Sequence, residues 1–203
     1  LGINAAKGLY IAGLDDDDEF SPDRIFEFTR HYNPEFSFFC SGYIYRQNSF
    51  QKRVNCTRKD ISLNDLLNKN HVSNQIFIDR SRLIECGGFD ESLPAFQDYD
   101  LWVRLIEQYG TARRLAKPLY VYHFQSTNSI TVSQVRIIGA IRFYRKHKEL
   151  MSKSQQNNFL VKLSLMREGR LTFRNLRRYW SFRNLSSLFK YFVNYNLRKR
   201  TVV

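Results

Sequence analysis

Five consecutive carboxylates, Asp15-Asp16-Asp17-Asp18-Glu19, follow directly on a short apolar run, Leu9 to Leu14. Acidic side chains this close repel one another unless a cation sits among them. The apolar run is Gly-bounded and has the length of a buried strand. In open α/β sheets, ligands collect just outside the carboxyl ends of strands. A divalent cation site at a strand end is one reading of this stretch. A solvated acidic turn that caps the next helix is the other. An EF-hand is excluded, because the sixth loop position would be Phe20 rather than glycine. Two more carboxylates, Asp98 and Asp100, fall in the first turn of a helical pattern that runs to Tyr109 and stops at Gly110. His123 follows a strand-like run and precedes a polar loop over residues 126–133.

The elements that must position these groups are legible in outline. Ser21-Pro22-Asp23-Arg24 reads as a helix start, with Ser21 as N-cap and Pro22 at the first helical position. The helix should end near Asn33-Pro34, which puts the acidic run in a strand-to-helix loop. Phe36 to Tyr45 reads as an aromatic strand. Arg46 to Lys59 reads as a surface loop or a solvent-facing strand pair. Ser62-Leu63-Asn64-Asp65 resembles a capping box. Residues 74–78 read as a strand, and Asp79 to Cys86 as a helical turn stopped by Gly87-Gly88. In the helix after Gln97, Trp102, Leu105, Ile106 and Tyr109 form the apolar stripe. Trp102 is therefore a core residue or a platform for a bound group, and Arg104 is expected to pair with a neighbouring acid. Ala112 to Leu115 and Leu119 to Phe124 read as strands flanking Lys117-Pro118. Helices are expected over Val135 to Lys148 and over residues 155–168, 172–180 and 184–197.

Composition narrows the classes. The 203 residues carry a net charge of +13. Residues 151–203 hold twelve Lys and Arg against one acid, Glu168, while the first 150 hold twenty against eighteen. The basicity thus belongs to the C-terminal quarter, where it interleaves with Phe173, Tyr179, Trp180, Phe182, Phe189 and Phe192. That pattern suits an anionic membrane surface or a helical packing appendage. Nucleic-acid binding is the third option for such a pattern, and no recognised nucleic-acid motif supports it. No apolar run reaches the roughly 18 residues of a membrane-spanning helix. Cys40, Cys56 and Cys86 are widely spaced without a CxxC pair, which argues against a zinc site and for reduced thiols in a cytoplasmic setting.

Three motifs in order resemble the family 2 glycosyltransferases: Leu14-Asp15-Asp16-Asp17-Asp18 after an apolar strand, then Gly87-Gly88-Phe89-Asp90-Glu91, then Gln97-Asp98-Tyr99-Asp100-Leu101-Trp102-Val103-Arg104-Leu105. The resemblance covers roughly residues 1–130. It implies an α/β fold, a partial GT-A (Rossmann-like) nucleotide-sugar transferase domain over residues 1–130, followed by a helical basic extension over 131–203. It also implies that a stretch of some tens of residues, with the first strands and much of the nucleoside pocket, precedes the position of Leu1. The implied activity is metal-dependent, inverting transfer from a nucleotide-sugar donor, a UDP-sugar first, to a saccharide or lipid-linked acceptor in surface polysaccharide or glycolipid synthesis. The alternative is a catalytically incomplete fragment, or a scaffold that binds a membrane surface.

By the same resemblance, Asp15 and Asp17 form the Asp-x-Asp pattern that holds Mg²⁺ or Mn²⁺. Asp15, Asp16, Asp17 and His123 would serve the donor diphosphate, and Asp98 would be the catalytic base. Gly87, Gly88, Asp90 and Trp102 would lie on the acceptor side. Where many relatives carry Glu before the base, this chain has Gln97. The implied setting is cytoplasmic and peripheral at the inner face of the membrane.

Overall fold

The computed structural model of this protein describes residues 2–72, 75–124 and 130–168. The described chain divides into two units: residues 1–92 with 96–129, and residues 93–95 with 130 onward.

The first unit is a mixed α/β structure on a seven-stranded sheet. Its elements are α1 (Gly2–Ala5), β1 (Tyr10–Ala12), β2 (Glu19–Phe20), α2 (Arg24–Arg30), β3 (Phe39–Gln47), β4 (Phe50–Val54), β5 (Lys59–Ile61), α3 (Leu63–Asn68), β6 (Phe77–Asp79), α4 (Arg80–Glu85), α5 (Gln97–Tyr109) and β7 (Ala112–His123). The strand order is β1-β6-β3-β7-β2, with β4 added to β3 and β5 to β7. Only β3 and β7 pair in parallel among the described strands, and all other pairings are antiparallel.

Aromatic side chains fill the space beneath the sheet. Phe28 of α2 stacks on Phe77 of β6 with ring centroids 5.2 Å apart, and Phe39, Leu115 and Leu119 complete this buried cluster. Each such buried side chain contributes roughly 1.5–3 kcal/mol. This cluster fixes α2 against the sheet, and hence the acidic loop that precedes it.

The second unit holds α6 (Ile130–His147), a 3₁₀ turn (Lys148–Leu150) and α7 (Lys153–Glu168). Phe143 and Tyr144 of α6 both stack on Phe159 of α7 at 5.6 Å. Ser152 and Gln155 exchange side-chain and backbone hydrogen bonds at the start of α7, a capping box. No helix among the described residues is long and apolar enough to cross a membrane.

Several expectations change. Ser21 is not an N-cap: its hydroxyl donates to the Pro118 carbonyl, and α2 starts at Arg24 behind Asp23, which makes no side-chain cap bond. The tie to β7 outcompetes a local cap because β2 intervenes between the acidic run and α2 and pairs with Tyr120 and Val121. The loop is therefore strand-to-strand, not strand-to-helix. Lys117-Pro118 does not split β7; it sits at a register shift against Ser41 and Gly42, where the unpaired proline nitrogen costs no ladder bond. Of the two readings of residues 46–59, the strand pair holds: β4 pairs with Tyr43–Gln47 of β3 and is exposed along most of its length. The 74–78 strand begins later, at Phe77, and Asn74 lies outside the described residues. Part of the polar stretch 126–133, and the expected helices at 172–180 and 184–197, also lie outside them.

Candidate active site

The acidic run leaves the end of β1 and is held in shape by two side chains from elsewhere in the fold. Tyr120 of β7 accepts a hydrogen bond from the Asp15 backbone N–H at 3.2 Å and donates its own to Asp18 Oδ2 at 2.7 Å. The His123 backbone N–H donates to Asp18 Oδ1 at 2.8 Å. Asp18 is thus turned inward and only 9% exposed. Burial raises its pKa against the lowering effect of these two bonds. It shapes the loop and is not open to a ligand.

Gln75 donates from Nε2 to Asp15 Oδ1 at 2.5 Å. Its side chain lies against Gly13, where any Cβ would come within 1.7 Å of Gln75 Oε1. Gly13 is thus what lets Gln75 reach the loop. Asp16 and Asp17 remain exposed. Around the loop, His123 Nε2 contacts Glu19 Oε1 at 2.8 Å, and Arg46 lies 3.6 Å from the same oxygen. His123 therefore sits at the edge of the acidic loop, with its ring engaged by Glu19.

Asp98 stands in the first turn of α5. The residue before that helix, Phe96, has φ of 69°, a left-handed backbone that bulky residues seldom adopt. Its carbonyl accepts the Asp100 N–H, and its ring stacks on Tyr99 at 6.3 Å. Tyr99 in turn donates its hydroxyl to the Leu66 carbonyl. The helix start is thereby fixed by contacts on both sides of Asp98. The Asp98 pKa is raised to about 6, first by burial and second by the charge of Asp15. The charge of Asp15, 83 positions earlier in the chain, thus adds to burial in holding the Asp98 proton. Perturbed acids of this kind cluster at functional sites.

The remaining expected residues serve the frame. Asp100 is fully buried and its Oδ2 accepts from Arg104 Nε at 2.8 Å, the ion pair expected of Arg104. The other guanidinium nitrogens donate to the Cys86 carbonyl at 2.5 Å and the Gly88 carbonyl at 2.6 Å. Gly87 and Gly88 both have positive φ, at 81° and 63°, so Arg104 staples a glycine-dependent turn to α5. Asp90 closes the next turn by accepting from the Ser92 N–H and hydroxyl. Trp102 is 2% exposed, with Phe38 at 5.6 Å and Phe89 at 6.4 Å. It is a core residue with no open face for a saccharide, which corrects the acceptor-side expectation.

No three His, Cys, Asp or Glu side chains among the described residues form a metal cage. Asp15 and the exposed Asp17 suit a different arrangement. Mg²⁺ and similar ions are held by one or two carboxylates, with substrate phosphates and water completing the shell.

Gln75, Tyr120 and Arg24 were not singled out from the sequence. Arg24 and Phe28, four residues apart on α2, are both buried, so the helical period already placed Arg24 on the inner face.

This chain belongs to the glycosyltransferase-like family 2, whose sequence model matches residues 1–181. It is 31% identical over 191 residues to the putative colanic acid biosynthesis glycosyl transferase WcaA of Escherichia coli (strain K12), covering 90% of this chain and 67% of that protein. Among solved structures it resembles S. aureus TarS 1–349 in complex with UDP-GlcNAc, with a TM-score of 0.50 at 10% identity. That match covers 90% of this chain, which spans 55% of the TarS chain. The likeness to TarS concerns the fold, and the mixed α/β architecture is the GT-A type expected from the motifs.

Proposed function

We propose that this chain carries the catalytic face of a glycosyltransferase that moves a sugar from a nucleotide-sugar, a UDP-sugar, to a saccharide or lipid-linked acceptor. The observation that carries the reading is the carboxylate loop at the end of β1, where Gln75 and Tyr120 hold Asp15 by hydrogen bonds. To it is added Asp98, in the first turn of α5, whose pKa is raised by burial and by the charge of Asp15. The TarS structure was obtained with UDP-GlcNAc, and WcaA is named for colanic acid biosynthesis; both support a nucleotide-sugar donor and a polysaccharide product.

In this reading the Asp98 carboxylate accepts the proton of the acceptor hydroxyl as that oxygen attacks the anomeric carbon. The bond from that carbon to the diphosphate oxygen breaks on the opposite face, which inverts the configuration. Asp15 and Asp17 would hold Mg²⁺ or Mn²⁺, which would supply positive charge to the departing diphosphate. Tyr120 and Gln75 keep Asp15 in place, and His123 lies beside the loop as a further donor-side group. Gly87, Gly88 and Asp90 would shape the acceptor side through their turn.

The test is donor turnover with and without Mn²⁺, in the full-length enzyme, for the wild type, Asp17→Ala and Asp98→Asn. Loss in both variants is expected. Unchanged turnover in either would remove the role assigned to that residue.

A further inference from the structure

Arg24 is a buried cation beneath the sheet. It is 1% exposed, and among the described residues its Nε and Nη2 have no hydrogen-bond partner. Among the described residues Nη1 donates to two neutral oxygens, Ser41 Oγ at 3.3 Å and the Leu119 carbonyl at 3.2 Å. The guanidinium lies 4.7 Å from the Phe20 ring centre, 4.8 Å from Phe28 and 5.2 Å from Tyr120. The groups that favour its charge electrostatically are Tyr120 and Cys40. Both are neutral near pH 7, since burial pushes the Cys40 thiol up to about 12 and raises the Tyr120 phenol. Burial lowers Arg24 itself only to about 10, so it stays charged. A buried cation without a counter-anion is costly, and partners are normally found for it.

A half-open pocket of about 70 Å³ reaches Arg24. Ser41, Tyr43, Val72, Gln75, Tyr120 and Tyr122 complete its lining. A single water needs about 10–15 Å³ of such volume, so a carboxylate or phosphate group fits. The Ser41 and Tyr120 hydroxyls already donate to the Gly42 carbonyl and to Asp18, and one Gln75 amide N–H goes to Asp15. Beside the guanidinium, the donors left in the lining are the second Gln75 N–H and the hydroxyls of Tyr43 and Tyr122, whose rings meet edge to face at 6.3 Å. Gln75 and Tyr120, which line this pocket, both hydrogen-bond Asp15. The pocket therefore adjoins the acidic loop.

We propose that the Arg24 pocket is an oxyanion-binding site that takes a carboxylate or phosphate substituent of an acidic acceptor. The oxyanion site stands without the transferase reading; the assignment of its ligand to the acceptor rests on it. The donor diphosphate is not the expected occupant, because Asp15 and Asp17 are the groups proposed to serve it.

The experiment is calorimetric titration of the 203-residue chain with methyl β-D-glucuronide, its neutral isostere methyl β-D-glucoside, and inorganic phosphate. The two anions are expected to bind at least about 10-fold tighter than the neutral glycoside, the scale of one charge-assisted contact. Arg24→Met, which keeps the apolar stem, is expected to abolish that preference. Equal binding of the glucuronide and the glucoside by the wild type overturns the site without needing any variant. So does an anion preference that survives in folded Arg24→Met. Repeating the titration with saturating UDP and Mn²⁺ addresses the source. Retained glucuronide binding supports an acceptor group, and displacement by UDP overturns that assignment. Failure of the transferase reading would show separately, as absence of donor turnover in a chain that still binds the anions.

Discussion

Asp98 combines two properties that a mutation can separate. Its raised pKa means that the folded chain holds the Asp98 proton more tightly than the unfolded chain. This residue's contribution to stability is therefore full below the ordinary carboxylate range, near pH 4, and is lost as pH rises through about 6. Asp98→Asn removes the charge that burial penalises. The variant is expected to be more stable than wild type at pH 8, by on the order of 2 kcal/mol, and equal to it near pH 3.5. Its transfer rate should fall by roughly 10²- to 10⁴-fold. Thermal denaturation against pH, set beside turnover, checks both halves. In the wild type, turnover should climb with pH through about 6, where the base ionises. Tyr120→Phe probes the loop from the other side. It deletes the hydroxyl shared by Asp15 and Asp18 and leaves a buried carboxylate short of a donor, at a cost of about 1–3 kcal/mol. Weaker donor binding should accompany the lower melting temperature. Asp15, Asp17 and Asp98 could be picked out of the sequence because residue type and order carry their signal. Gln75 and Tyr120 could not, since each meets the loop across 60 or more residues and nothing in their local sequence marks the contact.

The elements divide in the same way. Helices with self-contained ends were legible. The Ser62 side chain accepts from the Asp65 N–H, and Asp65 accepts from the Ser62 N–H, so the capping box on α3 is fully local. Ser62→Ala is expected to cost about 1 kcal/mol in chemical denaturation and to leave turnover unchanged. The end of α2 facing the site was misread because Ser21 bonds to Pro118, 97 residues away. β2 is two residues long and exists only through its pairing with β7. No periodicity can announce a strand that short. The turn that bears Gly87 and Gly88 lies between these cases. Its glycines announce the bend, while its attachment depends on Arg104. Arg104→Met would remove the guanidinium that fully buried Asp100 accepts from and the donors it gives to two carbonyls of the turn. A loss of about 3–5 kcal/mol is expected in urea denaturation, against a smaller loss for Arg104→Lys, which keeps the charge but not the fork.

At the scale of the whole molecule, charge is the strongest asymmetry. The first 150 residues are nearly balanced, while residues 151–203 hold twelve Lys and Arg and one acid. For a transferase whose acceptor is carried on a lipid, such a segment would bring the catalytic face to the acceptor and raise its local concentration. Each basic residue near an anionic bilayer contributes about 1 kcal/mol, and this attraction decays over a Debye length of about 10 Å at 0.1 M salt. The protein is therefore expected to co-sediment with vesicles containing anionic lipid at low ionic strength, and to be released near 0.5 M salt. Reversing Arg177, Arg178 and Arg183 to Glu changes the net charge by six and should prevent co-sedimentation at low salt. The same variant should turn over a soluble acceptor at the wild-type rate, because no residue proposed for catalysis lies in that stretch. Equal co-sedimentation of wild type and variant would mean that Arg177, Arg178 and Arg183 do not attach the protein to the bilayer, which would favour the reading of the basic quarter as a packing appendage with a solvated face.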